Sequence, residues 1–165
     1  MEKIAQQILK ELLPAEKEVA PPASAKAPRN SVDHWSPAIL LERGAYLRKM
    51  AAYGDGSASE TLKEYPGHCT MLSFRSRDGD AEVHQNFADL FFVLEGRAVM
   101  VTGGTVKGAR ITAPGEMRGV SIEGGTRQEM KAGDLVHVPA GLPHQMLVSS
   151  EQTVTCFVVK IEENQ

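Results

Sequence analysis

From about Cys69 to the C-terminus, apolar and polar residues alternate with a period of two, and turn residues interrupt the pattern at fairly even intervals. Such alternation places every second side chain on one face, as a half-buried strand requires and a helix does not. It predicts strands near Cys69–Arg75, Ala81–Gln85, Leu90–Leu94, Ala98–Thr102, Arg110–Thr112, Gly119–Glu123, Arg127–Met130, Leu135–Val138, Gln145–Ser149 and Thr153–Ile161. Many short strands at this spacing are the signature of an antiparallel sandwich or barrel. Glu95-Gly96, between LFFVL and RAVMV, reads as a tight hairpin whose glycine supplies a positive φ.

Helical patterns precede the strands. Ile4, Ile8, Leu9 and Leu12 recur at helical spacing until Pro14 ends the pattern, and the Pro/Ala-rich stretch Pro14–Asn30 reads as a linker or extended strap. A second helix starts where Ser36 caps it and Pro37 fills its first position, and it stops before Gly54. Ile39, Arg43, Tyr46, Met50 and Tyr53 follow one stripe of it, with Gly44 weakening its middle. The chain thus divides into residues 1–30, helix and linker, and residues 31–165, a β domain with a leading helix.

Composition narrows the function. Of 165 residues 42% are hydrophobic and 24% charged, the balance of a globular domain. Lys and Arg number 18 against 21 Asp and Glu, a net charge of -3, which argues against a nucleic-acid surface. No apolar run reaches membrane-spanning length, and MEKIAQQILKELL is too polar for a signal peptide, so a cytoplasmic location is expected. Cys69 and Cys156 lack CxxC spacing, lie in separate strand-like runs, and are expected to be buried, reduced and structural.

Two segments carry chemistry. In EVHQNFADLFFVLEG, Glu82 and His84 share a strand face and Asp89 heads an apolar run. In GDLVHVPAGLPHQM, Gly133 opens a strand, Pro139-Ala140-Gly141 makes a sharp turn, and His144 follows. From Leu72 to Glu162 the sequence resembles the cupin family, in the form of a small single-domain bacterial cupin. The family's second motif is met at Gly133, Pro139, Gly141 and His144, with Val148 where a final Asn belongs. The first is met in part by His84, Asp89 and Gly96, with Asp89 in place of Glu and Glu82 where the first His belongs.

The resemblance implies an all-β jelly-roll barrel, here with an N-terminal helical extension, and a divalent metal inside it. The matching positions are Glu82, His84, Asp89 and His144, and the metal is a transition ion such as Mn, Fe, Zn or Ni. Carboxylates in the set favour harder ions. Glu82 either completes four ligands or pairs with a cation, leaving His84, Asp89 and His144. His137 faces either the cavity, as an acid/base group, or the opposite side of its sheet. The long glycine-rich connection between the motifs is either a hairpin excursion or a flap over the barrel mouth, with Arg110 and Arg118 as its anion contacts.

By resemblance the protein binds a small polar organic molecule at the metal and forms a homodimer. If an enzyme, it performs dioxygenation, isomerisation or epimerisation, or decarboxylation. The alternative is a non-catalytic ligand-binding or sensing barrel with a degenerate or empty metal site. The chain shows no helix-turn-helix pattern, which sets a transcription factor aside.

Overall fold

The computed structural model describes residues 32–163. The helix and linker expected over residues 1–30 lie outside them. No helix among the described residues is long and apolar enough to cross a membrane.

Helix α1 spans Pro37–Tyr53. The Ser36 hydroxyl accepts a hydrogen bond from the Ile39 amide at 3.3 Å, relieving one of the unpaired donors of the first turn, and Pro37 fills a position where no donor is needed. The buried face is not the expected stripe. Leu40, Gly44, Leu47 and Ala51 are buried, whereas Ile39, Tyr46, Met50 and Tyr53 are exposed. The helix carries apolar residues on two sides, so spacing alone does not say which side meets the sheet. Gly44 explains the choice. A Cβ there would stand 2.9 Å from Cγ2 of the buried Thr155, so the missing side chain lets the helix lie close to the sheet.

The strands are β1 (Ser57–Tyr65), β2 (His68–Arg75), β3 (Ala81–His84), β4 (Phe87–Thr102), β5 (Thr105–Lys107), β6 (Arg110–Ala113), β7 (Glu116–Gly119), β8 (Ser121–Glu123), β9 (Thr126–Lys131), β10 (Leu135–Val138), β11 (His144–Leu147) and β12 (Val154–Glu162). Their pairings are all antiparallel. One face of the barrel runs β1-β2-β12-β4-β10 and the other β9-β4-β11-β3-β7-β6.

Strand β4 belongs to both faces. Residues 87–96 pair with β12, residues 89–92 also with β10, and residues 97–102 with β9. The hairpin expected at Glu95-Gly96 is therefore a bend within a continuous strand. Gly96 has φ +81°, and a Cβ on it would lie 1.9 Å from the Thr153 carbonyl oxygen. A glycine that turns a chain and one that bends it look alike in sequence. Strand β1, SASETLKEY, was not expected; it is polar and pairs with β2 alone.

Two cores share the first face. Phe91, Val93, Met100, Met130, Val138, Met146 and Cys156 meet inside the barrel. Leu72 and Phe74 face outward instead and pack with Leu40, Leu47 and Ala51 of α1. Alternate residues of β2, Cys69, Met71, Ser73 and Arg75, turn inward and line a cavity of about 450 Å³.

The glycine-rich connection folds as nested hairpins. β5 pairs with β8, β6 with β7, and β7 continues the second face by pairing with β3. It is thus a hydrogen-bonded wall of the barrel, the hairpin excursion rather than the free flap.

Candidate metal centre

Strand register assembles the site. His144, the first residue of β11, stands directly opposite Glu82 of β3, which brings the second motif onto the first. The Pro139-Ala140-Gly141 turn is fastened to the same place, since the Gly141 amide donates to the His84 carbonyl oxygen at 2.8 Å. Gly141 adopts φ +78°, a conformation that suits glycine. Asp89 enters from β4, where it pairs in register with Lys160 of β12.

All four residues expected at the site line the cavity together. His84 Nε2 lies 3.3 Å from Glu82 Oε2 and 3.4 Å from Asp89 Oδ2. His144 Nε2 lies 3.4 Å from Asp89 Oδ2 and 3.8 Å from Glu82 Oε2. Donor atoms of Glu82, His84 and His144 all fall within 4.8 Å of one another, close enough for one ion. Both histidines and Asp89 are buried.

The neighbours hold these donors in place. Glu116, opposite His84 in the β3–β7 register, approaches His84 Nδ1 at 2.5 Å. The Leu142 carbonyl oxygen receives His144 Nδ1 at 3.1 Å. Both rings thereby commit Nδ1 to a fixed acceptor and turn Nε2 inward. Glu82 divides its carboxylate: Oε2 faces the imidazoles, and Oε1 accepts from Arg118, its register partner on β7. Lys160 Nζ donates to Asp89 Oδ1 at 2.7 Å, leaving Oδ2 toward the rings.

These contacts set the charges. Burial raises the Glu82 carboxyl, but the His84 hydrogen bond and the charges of Arg118 and the two rings outweigh it and hold it at about 2. Burial likewise works against the Asp89 carboxylate, yet His144, His84 and Lys160 hold it well below the carboxylate range. For His84 burial favours the neutral ring, and the bonds with Asp89 and Glu82 overcome this, raising it to about 9.

Other expectations are corrected. His137 is exposed, because its alternation on β10 sends Val138 inward. It does not line the cavity, so the acid/base reading falls. Arg110 is exposed, sits 3.4 Å from Asp80, and is not a lining residue, whereas Arg118 is. Cys156 is buried as expected, and burial pushes its thiol up to about 12. Cys69 is only half-buried and lines the cavity. Arg75, Glu116 and Lys160 were missed. Lys160 had a signal, a lone cation in the apolar run TVTCFVVKI; Arg75 ends the period-two series on β2.

No family model and no curated protein matches the chain. Solved structures do. A protein from Thermus thermophilus aligns at 17% identity over 75% of this chain and 95% of its own, with a TM-score of 0.53. A cupin superfamily protein from Desulfitobacterium hafniense aligns at 14% identity over 65% of this chain and 78% of its own, at 0.45. Oxalate oxidase aligns at 14% identity over 65% of this chain and 51% of its own, at 0.47. The chain spans 51% to 66% of the first structures it matches. At these identities the likeness is one of fold. The Thermus thermophilus protein, above 0.5, shares the overall arrangement of this antiparallel β-barrel.

Proposed function

We propose that the barrel holds a divalent transition metal through Glu82, His84, Asp89 and His144, and that its cavity binds a small polar organic molecule beside that metal. The observation that supports this most directly is His144 Nε2, a buried ring nitrogen with no hydrogen-bond partner among the described residues. Leaving such an atom without a partner is costly, and a bound cation supplies one.

The donor spacing agrees. A tetrahedral ion at about 2.0–2.1 Å from each ligand spaces its ligands by about 3.3–3.4 Å. The four imidazole–carboxylate separations run from 3.3 to 3.8 Å. Two imidazoles with two carboxylates suit Mn, Fe(II) or Zn better than soft ions. Arg118 and Lys160 pair with the carboxylates through Glu82 Oε1 and Asp89 Oδ1, whereas His144 Nε2 has carboxylate oxygens at 3.4 and 3.8 Å but no hydrogen bond; this favours a loaded barrel over an empty one.

Turnover is the reading we favour. A metal here supplies Lewis acidity toward an oxygen of the bound molecule. The chain supplies the rest: Glu116 fixes His84, Lys160 fixes Asp89, and Phe91, Met100 and Val158 exclude water from one side of the cavity. The fold does not select a reaction class.

Elemental analysis of the purified protein beside His84→Ala and His144→Ala tests the assignment. The parent should carry about one metal per chain and each variant, still folded by circular dichroism, substantially less. Equal metal content in all three overturns it.

A further inference from the structure

The cavity carries more cationic groups than its metal donors require. Three cations line it, Arg75, Arg118 and Lys160. Lys160 is occupied by Asp89 and Arg118 by Glu82. Arg75 is not. Its guanidinium makes one ion-pair contact, 3.9 Å to Glu82 Oε1, and no hydrogen bond among the described residues. A guanidinium carries five donors in a rigid fork, and here it is only 26% exposed and aimed into a cavity.

The charge count has the same direction. Four carboxylates line the cavity, Asp80, Glu82, Asp89 and Glu116, against the three cations. With the ion bound and both imidazoles therefore neutral, the two charges of the ion and the three cations exceed the four carboxylates by one, which leaves room for one monoanion.

The position is continuous with a second opening. Arg75, Asp80 and Arg118 line both the metal cavity and an adjoining polar pocket of about 180 Å³ that also contains Arg77. A molecule reaching the metal from that side meets Arg75 and Arg118, which line both spaces.

We propose that the ligand is a small carboxylic acid, bound as its monoanion, with the carboxylate on Arg75 and Arg118 and its remaining oxygen toward the metal. This rests on the metal assignment above. A planar carboxylate matches the Arg75 fork in a bidentate pair, which a neutral amide of the same shape does not. Arg75 sets the class of ligand, and Glu82 carries the coupling: its Oε1 meets the arginines while its Oε2 meets the metal donors.

Calorimetric titration of the zinc-loaded protein with lactate, lactamide and inorganic phosphate tests this, with zinc content measured first in every sample. Lactate is expected to bind, and lactamide about tenfold or more weakly. Arg75→Gln should lose about tenfold in lactate affinity at unchanged zinc content, with Arg75→Lys between it and the parent. Lactamide binding as well as lactate, or Arg75→Gln binding lactate like the parent, overturns the proposal and leaves the metal site standing. Phosphate binding tighter than lactate through Arg75 overturns the carboxylate assignment. Absence of zinc uptake by the parent overturns both, and the zinc measurement distinguishes that failure from the others.

Discussion

Glu116 and His84 face one another across the β3–β7 ladder, with the carboxylate 2.5 Å from Nδ1 of the ring. The same register places Glu82 against Arg118, and the β4–β12 register places Asp89 against Lys160. Each of these three site residues is held by its neighbour across a strand pair, so the site's geometry is inherited from backbone hydrogen bonding rather than from loops.

Glu116→Gln is expected to weaken metal affinity by about 10- to 100-fold while leaving the fold intact, because it loosens the orientation of His84 without removing a ligand. Competition with a chelator of known affinity measures this. Unchanged affinity would show that the contact does not position the ring.

Acid and alkali should act on the metal-stripped protein through different residues. Glu82 is held at about 2 against an ordinary 4.5, so the stability it contributes is whole above about 4.5 and is lost as pH falls toward 2. His84 is raised to about 9 from 6.5, so its contribution is whole below 6.5 and is lost as pH rises through about 9. Thermal unfolding of the stripped protein should therefore show its maximum Tm between about pH 4.5 and 6.5. Zinc requires the neutral ring, so added zinc should release protons and move the maximum upward.

Gly44→Ala should lower stability by about 1 kcal/mol, against the usual helix preference. The gain in propensity is about 1 kcal/mol. Overpacking against the stiff, buried Thr155 costs about 1–3 kcal/mol. Adding Thr155→Ser removes the offending methyl group, and the double variant should recover most of the loss in denaturant melts.

Gly96→Ala should be far more damaging than a strand-interior alanine normally is. Its positive φ disfavours a side chain, and the Thr153 carbonyl occupies the place of the new Cβ. Destabilisation of about 3 kcal/mol or more, or failure to accumulate folded protein, is the expected outcome.

The all-β fold was legible in the period-two alternation, and four residues that line its cavity were legible as local motifs. Glu82, His84, Asp89 and His144 were legible because a Gly-Pro-Gly-His spacing and a short acidic-imidazole strand survive as local patterns. Their partners were not, because Glu116 and Lys160 become neighbours only through register, which no single segment encodes. The helix boundaries were legible from Ser36, Pro37 and Gly54, yet its buried face was not, since a helix apolar on two sides leaves that choice to the sheet. His137 was left between two faces for the related reason that alternation gives two faces without saying which is interior. Strand β1 escaped because a polar strand paired along one edge needs no apolar face of its own.

Successive residues of β2 serve different masters: Leu72 and Phe74 seat the helix, while Met71, Ser73 and Arg75 shape the chamber. The partition between them is one backbone thick. A change that reseats α1 bears on the ribbon that carries Arg75, so the lining of the chamber is reachable from the outer surface of the molecule.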